Sequence, residues 1–335
     1  MIEILSRTLL SSVQDLGREG YLHLGVGTSG AMDHVALAAG NILLGNPENS
    51  ASIEIQIFPF EVRFLDDIAF ALTGADANAE LDGRPIPAWW TLQARKGQVL
   101  KLNLTRRGAR SYLALAGGID VPLVLDSRST QLRGQFGGLD GRHLQRGDVL
   151  RTIPREDSGN TPTPLPAAGF GVEPPEFALP LGDTEAVAQG IRTFVRVLPA
   201  TEYDCYEDAS LAAFWNKDWA ITPHSDRYGY RLEGEALATK RTLEQRSHGI
   251  VPGVIQVPPS GQPIIQLRDA QPSGGYPKIG TVIEADIWRL AQAKLCTQLR
   301  FVQTTYAEAV SALDETRKYL DKLRRLATLY KLSKR

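Results

Sequence analysis

The sequence predicts a mainly β chain made of two strand-rich halves, with short helices and a helix at the C-terminus. Three observations predict it. Short apolar runs alternate with polar residues at period two and are separated by Gly, Asp and Pro, the pattern of a barrel or sandwich. The stretch 151–184 carries Pro154, Pro162, Pro164, Pro166, Pro174, Pro175 and Pro180, which blocks helix and interior strand and predicts an extended connector. Beyond residue 303 the apolar spacing becomes helical. The expected divisions are therefore 1–150, a linker at 151–184, 185–303, and a helical tail at 304–335.

In the first half, Ile53, Ile55 and Ile57 alternate with Glu54 and Gln56, which puts Glu54 on a solvent face. Val62 and Phe64, then Leu100, Leu102 and Leu104, repeat the period. The run 112–116 is wholly apolar and ends at Gly117-Gly118, as a central strand would. One helix interrupts the strands. Asp33 reads first as its N-cap, Val35, Ala38, Ala39 and Ile42 recur at helical spacing, and Gly45 with Pro47 ends it. In the second half, strands are expected at 193–197, 254–257, 264–267 and 298–302, with a short helix from Asp286 to Leu290. Two of these runs flank a Pro-Pro-Ser-Gly turn, a hairpin signal. Asp269 and then Gly274-Gly275-Tyr276-Pro277 follow, echoing the Gly117-Gly118 corner and consistent with two copies of one barrel type. The tail opens with a capping box, Thr305 and Glu308. Its apolar face runs through Val310, Leu313, Leu320, Leu323, Leu326 and Tyr330, and its end is basic (Arg324, Arg325, Lys331, Lys334, Arg335).

Composition narrows the function. The chain has 335 residues, 43% hydrophobic and 22% charged, with a net charge of −1, an ordinary globular mix with nothing to attract nucleic acid or an anionic membrane. The first residues carry Glu3, Arg7 and Asp15 among apolar ones, unlike a secretion signal, and no run of about 18 apolar residues offers a membrane span. Cys205 and Cys296 form no CxxC pair and are expected as packed small residues in a reducing compartment. A cytoplasmic protein is expected. There is no GxxxxGK[ST] phosphate loop, no GxGxxG turn and no HExxH, and the five histidines are scattered, so no metal site is expected. No Met-Lys pair is present to carry biotin.

Several strings occur in a fixed order: Ser12 to Arg18 (SVQDLGR); Gly25 to Asp33 with Asn41 and Gly45-Asn46; Leu72 to Ala75; Ala116 to Pro122 (AGGIDVP); Ser127 to Thr130; Gly137-Gly138 with Gly141-Arg142; Ser225-Asp226-Arg227 with Gly229 and Arg231-Leu232; and the stretch from Gly253 to Gly280. Together they resemble the biotin-dependent carboxyltransferase family, in its 5-oxoprolinase (allophanate hydrolase subunit 2-like) branch, over roughly residues 5–303. The resemblance implies two tandem cyclophilin-like β-barrel subdomains. It also implies an ATP-dependent enzyme that opens 5-oxo-L-proline to L-glutamate, in which the B subunit of the 5-oxoprolinase is the direct partner and an A subunit completes the assembly. ATP is then handled at the level of the complex. Biotin enters only under a rival reading, transfer of CO2 from carboxybiotin to urea or another amide. A second rival is a non-enzymatic antagonist of a kinase-inhibitor protein. The sequence departs from the family at Ala293 to Thr297, where relatives carry a Pro-Gly-Asp-type turn, and at Tyr228, where methionine is common in an apolar slot.

Opening a lactam through phosphorylation of its oxygen needs donors for phosphate and oxyanion and a carboxylate to direct water. Asp269 is the candidate base or orienter, Tyr276 the cover over substrate, and Arg227 and Arg128 the anion clamps. Ser129 and Thr130, with Ser127, add hydroxyls beside Arg128. Gln256 belongs to the same set, and Gly274 and Gly275 offer bare amides. Each has a plainer role. Asp33, as acid or as cap, and Arg128, as clamp or as loop stitch, stay open. Asp226 and Arg227 also read as a local ion pair, and Asp15 and Arg18 as a pair across Gly17.

Overall fold

The computed structural model describes residues 1–7, 10–154, 169–175, 191–241 and 245–332. The chain is mainly β, with short helices and a long C-terminal helix, and it divides into two compact units. The first holds residues 1–18, 29–176 and 317–335; the second holds 19–28 and 177–316. Most of the proline-rich stretch lies outside the described residues. Within it, Phe170–Gly171 forms a strand against Trp90–Ala94.

In the first unit the strands form two six-stranded sheets. Period two explains the core between them. Ile2, Ile4, Phe60, Val62, Phe64, Leu100 and Leu102 from one sheet meet Ile53, Ile55, Phe70, Leu72, Leu113 and Leu115 from the other. The helix His34–Leu44 covers the outer face of the second sheet. Asp33 caps it through Ala36 N at 2.8 Å, and Gly45 ends it at a φ of 71°, as its sequence predicts. This cover corrects one expectation. Glu54 does not face solvent but is 1% exposed, because the chain entering the helix lies over that face of Ser52–Ile55. Leu104, expected to continue its strand, lies beyond Val99–Leu102 and is exposed.

In the second unit seven strands close into a barrel. Closure comes from Arg192–Pro199, which pairs in parallel with Gln298–Gln303 on one side and antiparallel with Lys278–Val282 on the other. The predicted hairpin is present, with Ile255 opposite Ile265 and Gln256 opposite Ile264. The tandem barrels expected of the family thus differ in one respect: the ladder is continuous around the second, whereas the first is two facing sheets. Asp286 precedes the short helix Ile287–Gln292 but does not cap it. Its carboxylate is bound by Arg196, with contacts of 2.6 and 2.9 Å, and by Arg289 at 3.1 Å.

The capping box forms as predicted, with Thr305 N donating to Glu308 Oε2 at 2.8 Å, and opens the helix Tyr306–Leu332. Ala312 is buried with Ile283 and Ala285 in the second unit, and Leu323 and Ala327 with Ala36, Trp89 and Tyr112 in the first. Val310 and Leu326 of the predicted apolar face are exposed. Arg324 is paired with Glu48 and Asp321, while Lys334 and Arg335 lie outside the described residues. Both cysteines are free, but Cys296 is exposed rather than packed. It sits in the departing turn at a φ of 64°.

Candidate functional site

The second barrel carries an open cleft of about 880 Å³. Its floor comes from the hairpin strands, whose side chains alternate between barrel core and cleft. Ile255 and Ile265 point inward and are fully buried, while Gln256 and Gln266 line the cleft. Gln266 Nε2 donates to Gln256 Oε1 at 3.1 Å, and Gln256 Nε2 to the Tyr276 carbonyl at 3.4 Å. This leaves amide groups of both kinds along one wall. The loop Gly274-Gly275-Tyr276 forms the rim, with Tyr276 47% exposed. His224, Asp226, Tyr228, Arg231 and Glu233 also line the cleft. Tyr228 is therefore part of a polar lining and not a filler of an apolar slot.

The glycines of the rim serve close approach. A Cβ on Gly274 would fall 2.5 Å from Gln256 Nε2, and neither rim glycine has a positive φ. Gly274 is paired with His248 in a short ribbon, Ser273–Gly274 against His248–Gly249.

Asp269 and Arg227 come together beneath this cleft. Arg227 Nε donates to Asp269 Oδ2 at 2.8 Å and its second guanidinium arm to Oδ1 at 3.1 Å, with the side chains 4% and 0% exposed. Asp269 N also donates to the Arg227 carbonyl at 2.9 Å. The pair is bidentate and buried, with both oxygens of the Asp269 carboxylate engaged by Arg227. It anchors the chain at Ala270 and Gln271, which line the cleft. Asp226, read as a partner for Arg227, instead accepts from Tyr228 N at 2.8 Å and Gly229 N at 3.3 Å.

The remaining candidates belong to the first unit. Asp15 gathers donors there: Ser127 Oγ at 2.7 Å, Ser129 Oγ at 2.5 Å, Arg128 N at 2.6 Å and Gly17 N at 2.8 Å. Arg128 Nε donates to the Val121 carbonyl and Thr130 Oγ1 to the Val13 carbonyl. Arg18 donates to the Ser129 and Val124 carbonyls. Arg128, Ser129 and Thr130 are thus stitched into a loop around one buried carboxylate. Asp33 caps its helix, and its N–H donates to Tyr112 Oη at 2.8 Å. Tyr112 in turn donates to Glu54 Oε2 at 2.7 Å, where Met32 N also donates at 2.8 Å. Burial, followed by the charges of Glu54 and Asp33, pushes the Tyr112 hydroxyl well above its usual range, so it stays a donor.

Sequence reasoning missed a cluster behind the rim. Lys278 Nζ is 3.0 Å from Glu202 Oε1 and touches His248 Nε2, and Gln245 Nε2 donates to Glu202 Oε1 at 3.0 Å. Lys278 follows Tyr276-Pro277 directly and was legible as part of that string; nothing in the sequence connects Glu202 to it. Among the described residues no three His, Cys, Asp or Glu side chains are grouped as metal ligands.

Residues 24–303 match the family described as carboxyltransferase domain, subdomain A and B. The chain is 41% identical over 330 residues to the C subunit of 5-oxoprolinase from Haemophilus influenzae, covering 97% of this chain and 98% of that protein. It is 39% identical over 331 residues to the C subunit of 5-oxoprolinase from Escherichia coli, covering 96% and 97%. The fold is similar to the crystal structure of Kluyveromyces lactis urea carboxylase, with a TM-score of 0.83 and 27% identity, covering 96% of this chain and 29% of that one.

Proposed function

The chain belongs to the carboxyltransferase family of subdomains A and B, and on that premise we propose that it is the C subunit of an ATP-dependent 5-oxoprolinase, working with the A and B subunits to open 5-oxo-L-proline to L-glutamate. The observation that carries the reading is near-complete mutual coverage, at 41% and 39% identity, with two bacterial proteins of that name. The cleft chemistry supports it. A lactam presents one N–H and one carbonyl, and the Gln256 and Gln266 amides offer the complementary acceptor and donor. Arg231, in the same lining, is the cation for the substrate carboxylate, and Tyr276 covers the ring. The cleft is larger than one lactam needs, which leaves room for a second reactant.

In this reading the lactam oxygen takes the γ-phosphoryl group of ATP and ADP leaves. Water then adds to the activated carbon, and cleavage of the ring C–N bond with loss of phosphate gives glutamate. ATP marks the cytoplasm as the compartment. The activity is expected from the reconstituted complex of all three subunits and not from this chain alone. Glutamate release that is unchanged when this chain is omitted would sink the proposal. Within the active complex, Arg231→Ala is expected to raise KM for 5-oxoproline about tenfold or more, the loss of one charge-assisted contact.

The likeness to urea carboxylase favours a second reading, CO2 transfer from carboxybiotin to an amide nitrogen. Labelled CO2 appearing on urea, with a biotin carboxylase and a biotin carrier supplied, would support it. Tight binding to the B subunit without turnover in any mixture would support the binding antagonist instead.

A further inference from the structure

The cleft rim is closed by side chains that do not line it. His248 pairs through its backbone with Gly274, the chain runs on through Gly275 and Tyr276 to Lys278, and the Lys278 ammonium returns to His248 Nε2. The result is a ring of chain fastened by one side-chain contact. Glu202 holds the ammonium from the other side at 3.0 Å, with the Lys278 and Glu202 side chains 14% and 13% exposed. Gln245 fixes Glu202, and Tyr206 Oη donates to the Pro277 carbonyl at 3.2 Å. On the strand ladder Lys278 is the partner of Gln256, which itself donates to the Tyr276 carbonyl. Every group in the ring therefore bears on the rim.

We propose that Lys278, clasped between Glu202 and His248, is a positioning residue that holds the Gly274-Gly275-Tyr276 rim of the cleft. The ammonium is committed to Glu202 on one side and meets the imidazole that is paired through its backbone with Gly274 on the other. The Glu202 carboxyl is pushed up by burial but held below its usual range overall by Lys278 and Gln245, so it stays an anion committed to Lys278.

The inference deepens the function proposed above and depends on it only for the ligand. The test is hydrogen exchange at the amides of Gly274, Gly275 and Tyr276 in the full chain at neutral pH, with 5-oxoproline binding followed by calorimetry. Lys278→Met is expected to lower rim protection about tenfold, Glu202→Gln to lower it likewise, and Lys278→Arg to keep it near the parent. Lys278→Met that matches the parent, or Lys278→Arg that loses protection as fully as Lys278→Met, overturns the proposal. If Lys278→Met fails to fold, Glu202→Gln and Lys278→Arg decide. If the rim responds as expected while 5-oxoproline does not bind, the substrate assignment falls and the clasp stands.

Discussion

Asp269 and Arg227 lie 42 positions apart in sequence and are locked together in the folded chain. Taking away one member of a buried pair leaves the other charged and dry, so Asp269→Asn is expected to destabilise the second unit by about 3–5 kcal/mol. Urea unfolding measures this, and a loss under about 1 kcal/mol would show that the pair is solvated. Both residues were legible as candidates because each sits in a distinctive string. Their pairing was not, since a carboxylate that serves as base and one that anchors an arginine look alike in sequence. Arg128, Ser129 and Thr130 teach the same lesson. The Ser127 and Ser129 hydroxyls and the Arg128 N–H donate to Asp15, a partner more than a hundred residues away that their own string does not announce. Cys296 is the converse case. Its φ of 64° lies in the left-handed region that favours glycine, a backbone demand that the residue type at this position does not announce.

Among elements, those written in local rules were the most legible. The Asp33-capped helix, the 254–267 hairpin and the Thr305–Glu308 box each follow from a few neighbouring residues. Thr305→Ala is expected to cost about 1 kcal/mol and to fray the first turn of the C-terminal helix. Chemical denaturation together with amide exchange over residues 306–309 reads both effects. The Ser52–Ile55 strand marks where local rules stop. Its alternation is real, but whether the polar face meets water depends on a helix that crosses it, and Glu54 is consequently buried with Tyr112 and Met32 N as partners.

For the whole molecule, two strand-rich halves could be read from period-two runs. What the sequence concealed is that each unit uses residues from outside its main stretch: 19–28 belong to the second unit and 317–335 to the first. Two units with separate cores predict a calorimetric unfolding profile that departs from a single two-state transition. Asp269→Asn should lower one component and Tyr112→Phe the other. A single transition shifted by both variants alike would contradict this.

The borrowed segments also set a timetable for synthesis. Residues 19–28 leave the ribosome before nearly all of the first unit, yet the rest of the second unit begins only at Phe177. At 5–20 residues per second that is a wait of roughly 8–30 s. The first unit waits in its turn, because Leu323 and Ala327, buried with Tyr112 and Trp89, follow the whole of the second unit's main stretch. The first unit is therefore incomplete when its main stretch is made, and residues 19–28 stay without their unit until the second stretch arrives. The outer surface of the His34–Leu44 helix is finished only after the second unit's main stretch has been made, which makes the nascent chain, more than the mature one, the form most in need of protection from its neighbours.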